Sequence, residues 1–130
     1  MKRLPAEWEL QDCVQLTWPH RSTDFAPVYD RAVACFVTIA REISKRQKLL
    51  IACKSKQIAI QELGNALNEN ITFVEVDTND VWARDHGAIT VYEDGKPFLY
   101  DFTFNGWGKK FPAEKDNAIT KSLFQSGFFA

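Results

Sequence analysis

Cysteine and histidine are scarce in this 130-residue chain, with three of one and two of the other. Cys13, Cys35 and Cys53 stand far apart in apolar runs, and no two of them form a CxxC pair. A structural zinc cage needs four thiolate or imidazole ligands at short spacings. A zinc cage is therefore not expected. The cysteines read instead as buried free thiols, as a reducing cytoplasm keeps them. Net charge is also small, with 16 Lys and Arg against 17 Asp and Glu, and no basic block stands out. A nucleic-acid partner would need a basic footprint, so none is expected. No apolar run approaches the roughly 20 residues that span a bilayer. The opening MKRLPAEWELQD has the basic start of a signal peptide without its apolar core. What remains is 45% hydrophobic and 13% aromatic residues, enough for one compact domain with a sizeable core.

The pattern along the chain predicts eight elements. Val14–Trp18 is a short β-rich run ended by Pro19. Asp24 or Thr23 suits a helix cap and Pro27 a first helical turn. Tyr29, Ala32, Val33, Phe36, Ala40 and Ile43 then recur at spacings of three and four, one face of a helix over about 27–45. KLLIACK (48–54) reads as a buried strand. Gln57–Leu67 reads as a second helix, with Ile58, Leu63 and Leu67 inward and Gly64 a weak point. ITFVEVD (71–77) alternates as a strand does. AITVYE (88–93) and PFLYDFTF (97–104) flank Asp94-Gly95, a strong hairpin signal. Phe98, Tyr100, Phe102 and Phe104 would share one face of the second of these strands. NGWGKKFP (105–112) is a loop, and Ala113–Gln125 a last helix. The order β-α-β-α-β-β-β-α is an α/β domain with one antiparallel hairpin. The apolar tail LFQSGFFA suggests a further strand, or burial against a partner.

TNDVWARDHG (78–87) packs two aspartates, an asparagine, an arginine, a tryptophan and a histidine into ten residues at the end of a strand. Such strand ends commonly carry sites in α/β proteins. A carboxylate beside an indole receives a planar cation well: the oxygens accept a guanidinium fork and the ring covers its face. The competing structural reading is a tight turn in which Arg84 pairs with Asp80 or Asp85 and Trp82 is core. Both hold together if Arg84 is structural while Asp85 faces a ligand.

Three segments occur in order with suitable gaps: PAEWE (5–9) with LTWP (16–19), TNDVWARDHG, and DFTFNGWGKKFP (101–112). Together they resemble the N-terminal region of the agmatine deiminases and the bacterial-type peptidyl-arginine deiminases, in the guanidine-modifying, or pentein, superfamily. The resemblance covers nearly all of residues 1–130. It implies an α/β propeller of five ββαβ blades, of which this chain holds about two. It also implies hydrolysis of a guanidinium by a cysteine thiolate, with ammonia leaving, two carboxylates holding the nitrogens and a histidine moving protons. The first of those carboxylates, a catalytic residue, maps onto Asp85 and the stacking residue onto Trp82. Asn105 and Trp107 in the NGWG loop become a second wall of the pocket, while Asn79, Asp80 and Arg84 support the loop. Residue 88 is alanine where the family often has proline.

The family's nucleophilic cysteine and catalytic histidine match nothing here. Cys13, Cys35 and Cys53 have the wrong contexts, and His20 and His86 do not match the general acid/base. Family members run to about twice this length or more, so the chain alone is expected to be inactive. It reads as a cloned fragment, the product of a frameshifted gene, or a remnant that binds or self-associates through open strand edges. No metal or organic cofactor is implied, because the thiolate mechanism of the family needs none. No arginine follows Arg84 to grip a substrate carboxylate. That favours agmatine, giving N-carbamoylputrescine on the way to putrescine, over peptidyl arginine. Lys109 and Lys110 keep the peptidyl alternative open.

Overall fold

In the computed structural model, which describes residues 1–129, the chain builds two three-stranded sheets. The first is parallel and lies in sequence order: β2 (Val14–Thr17), β3 (Leu49–Cys53) and β4 (Ile71–Glu75). Every residue of the central β3 is buried. Its alternation divides two cores. Leu49, Ile51 and Cys53 face Trp18, Ala40, Ala59, Leu63 and Ala66. Leu50 and Ala52 face Ile119 and Leu123, with Phe128 and Phe129 packed beside them. The apolar tail therefore closes the second face of this sheet. Covering both faces is what a continuous apolar run such as LLIAC demands.

Two helices connect the parallel strands over the first of these faces. α1 (Tyr29–Ser44) buries Tyr29, Ala32 and Ala40, with Val33, Phe36 and Ile43 half-buried, as its periodicity predicts. Pro27 lies in a 3-10 turn (Ala26–Val28) before it, but neither Thr23 nor Asp24 caps the helix. The Thr23 hydroxyl instead donates to the His20 carbonyl at 2.7 Å. α2 is shorter than expected, Lys56–Leu63, with Ser55 capping its start. Gly64 takes φ +52° and breaks it into a 3-10 turn, Gly64–Ala66. Within α2 Ala59 and Leu63, four apart, face inward and Ile58 is exposed; beyond the break Ala66 is buried and Leu67 exposed.

The second sheet is antiparallel, ordered β1 (Lys2–Arg3), β5 (Ile89–Glu93), β6 (Lys96–Tyr100). β5 and β6 are joined by Asp94-Gly95, both at positive φ, the twist a two-residue hairpin favours. The two-residue β1 is unforeseen in the pattern. β6 stops at Tyr100 rather than Phe104. There the Asn117 side chain gives and takes 2.8 Å hydrogen bonds with the Phe104 backbone, replacing a neighbouring strand. The last helix is α5 (Ile119–Gln125), preceded by a 3-10 turn, Asp116–Ala118. Of the cysteines only Cys53 is buried; Cys13 is partly covered and Cys35 exposed. Residues 30–40 are apolar on several faces of α1, so periodicity does not place Cys35. Among the described residues no helix is long and apolar enough to cross a membrane.

Candidate guanidinium-binding site

The polar motif leaves the end of β4 as a loop and closes in a single helical turn, α3 (Ala83–His86). Asn79 fastens the loop's start. Its side-chain oxygen accepts the amides of Lys115 and Asp116 at 2.8 and 3.0 Å. Its own amide donates to the Asp116 carboxylate at 2.7 Å. Asp80 folds back on the next residue, accepting from Val81 N–H at 2.8 Å and from Asp24 N–H at 3.4 Å. Burial raises its carboxyl above the ordinary value of 3.8, against those hydrogen bonds and one from the Trp82 side chain. Both residues thus support the turn through the backbone.

Arg84 does not. Its guanidinium is 93% exposed and 3.8 Å from an equally exposed Glu7, away from both Asp80 and Asp85. The expected internal ion pair is therefore absent. Asp85 is half-buried, and among the described residues its carboxylate has no hydrogen-bond or ion-pair partner. Only its backbone is tied, N–H to the Trp82 carbonyl at 2.9 Å. Trp82 is 39% exposed and packs at 5.6 Å against Phe25 with the rings tilted by 43°, so it is neither core nor free.

The second wall is strained. Gly106, Trp107, Gly108 and Lys109 all have positive φ (65°, 54°, 76° and 65°), so the one-turn helix α4 (Gly106–Lys109) is wound left-handed. L-residues rarely adopt this in series, at about 1–2 kcal/mol for each non-glycine. Two supports hold it. Asn105 caps the turn, its side chain accepting from Gly108 N–H at 2.9 Å. The Trp107 ring sits edge-on between Phe104 (4.8 Å) and Phe111 (5.5 Å). A Cβ on Gly106 would collide with the Phe111 carbonyl, so only glycine fits there. Asn105 thus shapes the turn that presents Trp107.

Between the two walls lies a cleft of about 190 Å³. Asp24, Asn79, Asp80 and Asp116 line one side, and Phe104, Trp107 and Phe111 the other. No basic side chain lines it, so its chemistry is that of a cation receptor. The structure brings Asn79, Asp80 and Trp107 into this cleft; Trp82, Asp85 and Asn105, expected in the pocket, do not line it. Asp116 escapes sequence reasoning because an acid before a helix reads as a cap, and its partners lie 36 and 37 residues away.

An α/β chain with an acidic and aromatic cleft at a strand end defines a class of cation-binding site, and relatives narrow it. The chain belongs to the Porphyromonas-type peptidyl-arginine deiminase family, whose profile matches residues 3–129. It is 32% identical over 126 residues to a Mycoplasma mycoides subsp. mycoides SC protein provisionally named an agmatine deiminase, covering 92% of this chain and 34% of that one. A cysteine-to-serine variant of C. jejuni agmatine deiminase, solved with substrate bound, superimposes with a TM-score of 0.91 at 34% identity, over 98% of this chain and 38% of that one. An agmatine deiminase of Enterococcus faecalis gives 0.74 at 30% identity, over 97% and 36%. The chain spans about a third of the length of the curated relatives it matches.

Proposed function

We propose that this chain carries the guanidinium-anchoring wall of an agmatine-hydrolysing deiminase. Its two sheets would then be parts of two blades of a five-bladed propeller. The whole enzyme would convert agmatine and water to N-carbamoylputrescine and ammonia, in the cytoplasm, for putrescine synthesis. The observation that carries this reading is the half-buried Asp85 carboxylate, three residues after Trp82, which has no side-chain partner among the described residues because Arg84 turns to solvent. A carboxylate in that setting gains most from a bidentate cation. Asp85 anchors the guanidinium, and Trp82 contributes about 0.5–2 kcal/mol of stacking. Asn105 and Trp107 form the facing wall. Asn79 and Asp80 hold the loop, while Arg84 is reassigned from support to a solvent-facing charge.

The nucleophile would be a cysteine outside these 130 residues. Burial pushes the Cys53 thiol up to about 11 and raises Cys13 as well, the opposite of an activated thiolate. Cys35 sits on the outer face of α1, away from the cleft residues. Agmatine is favoured over peptidyl arginine because the cleft lacks a basic residue to grip a carboxylate. The isolated chain should release no ammonia or ureido product from agmatine. Turnover that Asp85→Ala abolishes would overturn this assignment of roles.

A second reading, a binding or self-associating domain without turnover, is favoured by Phe98, Leu99 and Phe102, which are 46%, 42% and 61% exposed around the edge strand. It expects dimers or larger species in light scattering at high concentration. A clean monomer there would count against it.

A further inference from the structure

The reading above leaves a buried polar group beside the site unused. Thr17, His86 and Asp116 are 0%, 2% and 3% exposed. Thr17 Oγ1 lies 2.9 Å from His86 Nε2, and His86 Nδ1 lies 3.8 Å from Asp116 Oδ2. Hydroxyl, imidazole and carboxylate stand in the order of a nucleophile triad. A hydroxyl with no solvent exposure meets no substrate, so the group does not act on one. What Asp116 touches is the motif loop. Its Oδ1 accepts the amides of Asn79 at 2.7 Å and Asp80 at 3.3 Å, at the loop's start. Its Oδ2 faces His86, at the loop's end, and His86 in turn holds Thr17 at the end of β2. One carboxylate therefore bonds the start of the segment that carries Trp82 and Asp85 and faces its end, where His86 Nδ1, buried and without a hydrogen-bond partner among the described residues, stands too far away for a hydrogen bond.

We propose that Asp116 is a positioning residue for the guanidinium-binding loop, with His86 as the link that ties the loop's far end to β2. The role in binding rests on the deiminase reading; the clamp itself does not. The geometry explains why a carboxylate is placed here. Two convergent backbone N–H groups call for an acceptor with more than one lone pair, a charged acceptor binds them more strongly than an amide, and its negative charge 3.8 Å from the imidazole favours the protonated ring. The charged groups acting on His86 are Asp116 from the turn before α5, Asp85 from α3 and Asp80 from the loop. Its backbone carbonyl accepts the Thr120 hydroxyl at 3.4 Å, so α5 also reaches this end.

The test is amide hydrogen exchange and His86 ring titration by NMR on the 130-residue chain, followed by agmatine titration. Asp116→Ala should speed exchange at Asn79 and Asp80 by about tenfold or more relative to Leu50–Cys53. It should weaken agmatine binding by a similar factor. Asp116→Asn keeps an acceptor oxygen but loses the charge, so it should keep most of the amide protection while lowering the pH at which His86 titrates. Unchanged protection in Asp116→Ala would overturn the proposal, as would acceleration shared equally by Leu50–Cys53. If the alanine variant does not fold, the asparagine variant decides: an unmoved His86 titration overturns the clamp. Failure of the wild-type chain to bind agmatine, or an affinity unaffected by Asp85→Ala, would sink the guanidinium reading. The exchange data would still judge Asp116.

Discussion

Every residue of β3 is buried, whereas four of the five residues of β6 are exposed and the fifth is only partly covered. The parallel sheet is packed on both faces, by α1 and α2 on one side and by α5 with Phe128 and Phe129 on the other. The strands of the antiparallel sheet bury only Val91. This sheet is held at its edge by β1 and by polar contacts at or near the surface: the N-terminus to Asp94, Lys2 to Glu93 at 3.0 Å, and the part-buried hydrogen bond from the Tyr100 hydroxyl to Glu93. Surface pairs of that kind contribute little. Stability therefore resides in the first sheet, while the second presents surface. The candidate site lies at their seam. The motif loop leaves β4 of one sheet and ends at β5 of the other. It is pinned by Asp116, just ahead of the helix that packs back on the first sheet.

The comparison can be broken most forcefully at its strong end. Ile51→Ala, in the fully buried strand, should cost about 2–5 kcal/mol in urea unfolding. A smaller loss would mean that the first sheet does not dominate stability. A second change acts through pH at the seam. Burial holds the His86 imidazole below its ordinary 6.5, against the attraction of Asp116, Asp85 and Asp80. The unfolded chain then takes up the proton first, so His86 contributes nothing above about pH 7 and costs stability as pH falls from about 6.5 toward its folded value. Asp80 works in the opposite sense at lower pH, since its carboxyl is raised and the folded state protonates first. The urea midpoint should fall between pH 7 and 5, and His86→Gln should flatten that slope; an equal slope in the variant would contradict this. The smallest effect belongs to the weak end. Leu99→Ala on the exposed hairpin should change stability by no more than about 0.5 kcal/mol. A loss comparable to that of Ile51→Ala would erase the distinction between the sheets.

The strong sheet was the legible one. Its central strand stands out as an unbroken apolar run, and α1 as a period of three and four, because burial on both faces leaves a dense local signal. The Asp94-Gly95 hairpin was equally plain, since few dipeptides accept two positive φ values. Local pattern failed where distant residues decide. α2 turned Ala59 rather than Ile58 inward with Leu63, and the break at Gly64 buried Ala66 in place of Leu67. Asn117, 13 residues beyond Phe104, takes up the Phe104 backbone groups that a longer β6 would have paired with a strand. At the site, TNDVWARDHG marked the loop, but not that Arg84 would leave it or that Asp116 would hold it. The glycines of NGWG announced a turn; the left-handed geometry at Trp107 and Lys109 depends on Asn105 and on two phenylalanine rings.

The central claim is that Asp85 is left unpaired in order to receive a guanidinium. Calorimetric titration of the chain with agmatine, alongside its Asp85→Asn variant, tests this most directly. That variant removes the charge while keeping size and shape. Binding that weakens at least about tenfold is the predicted result, the loss of one charge-assisted bidentate contact. Equal affinity in the two proteins, or no binding by the unaltered chain, would contradict it.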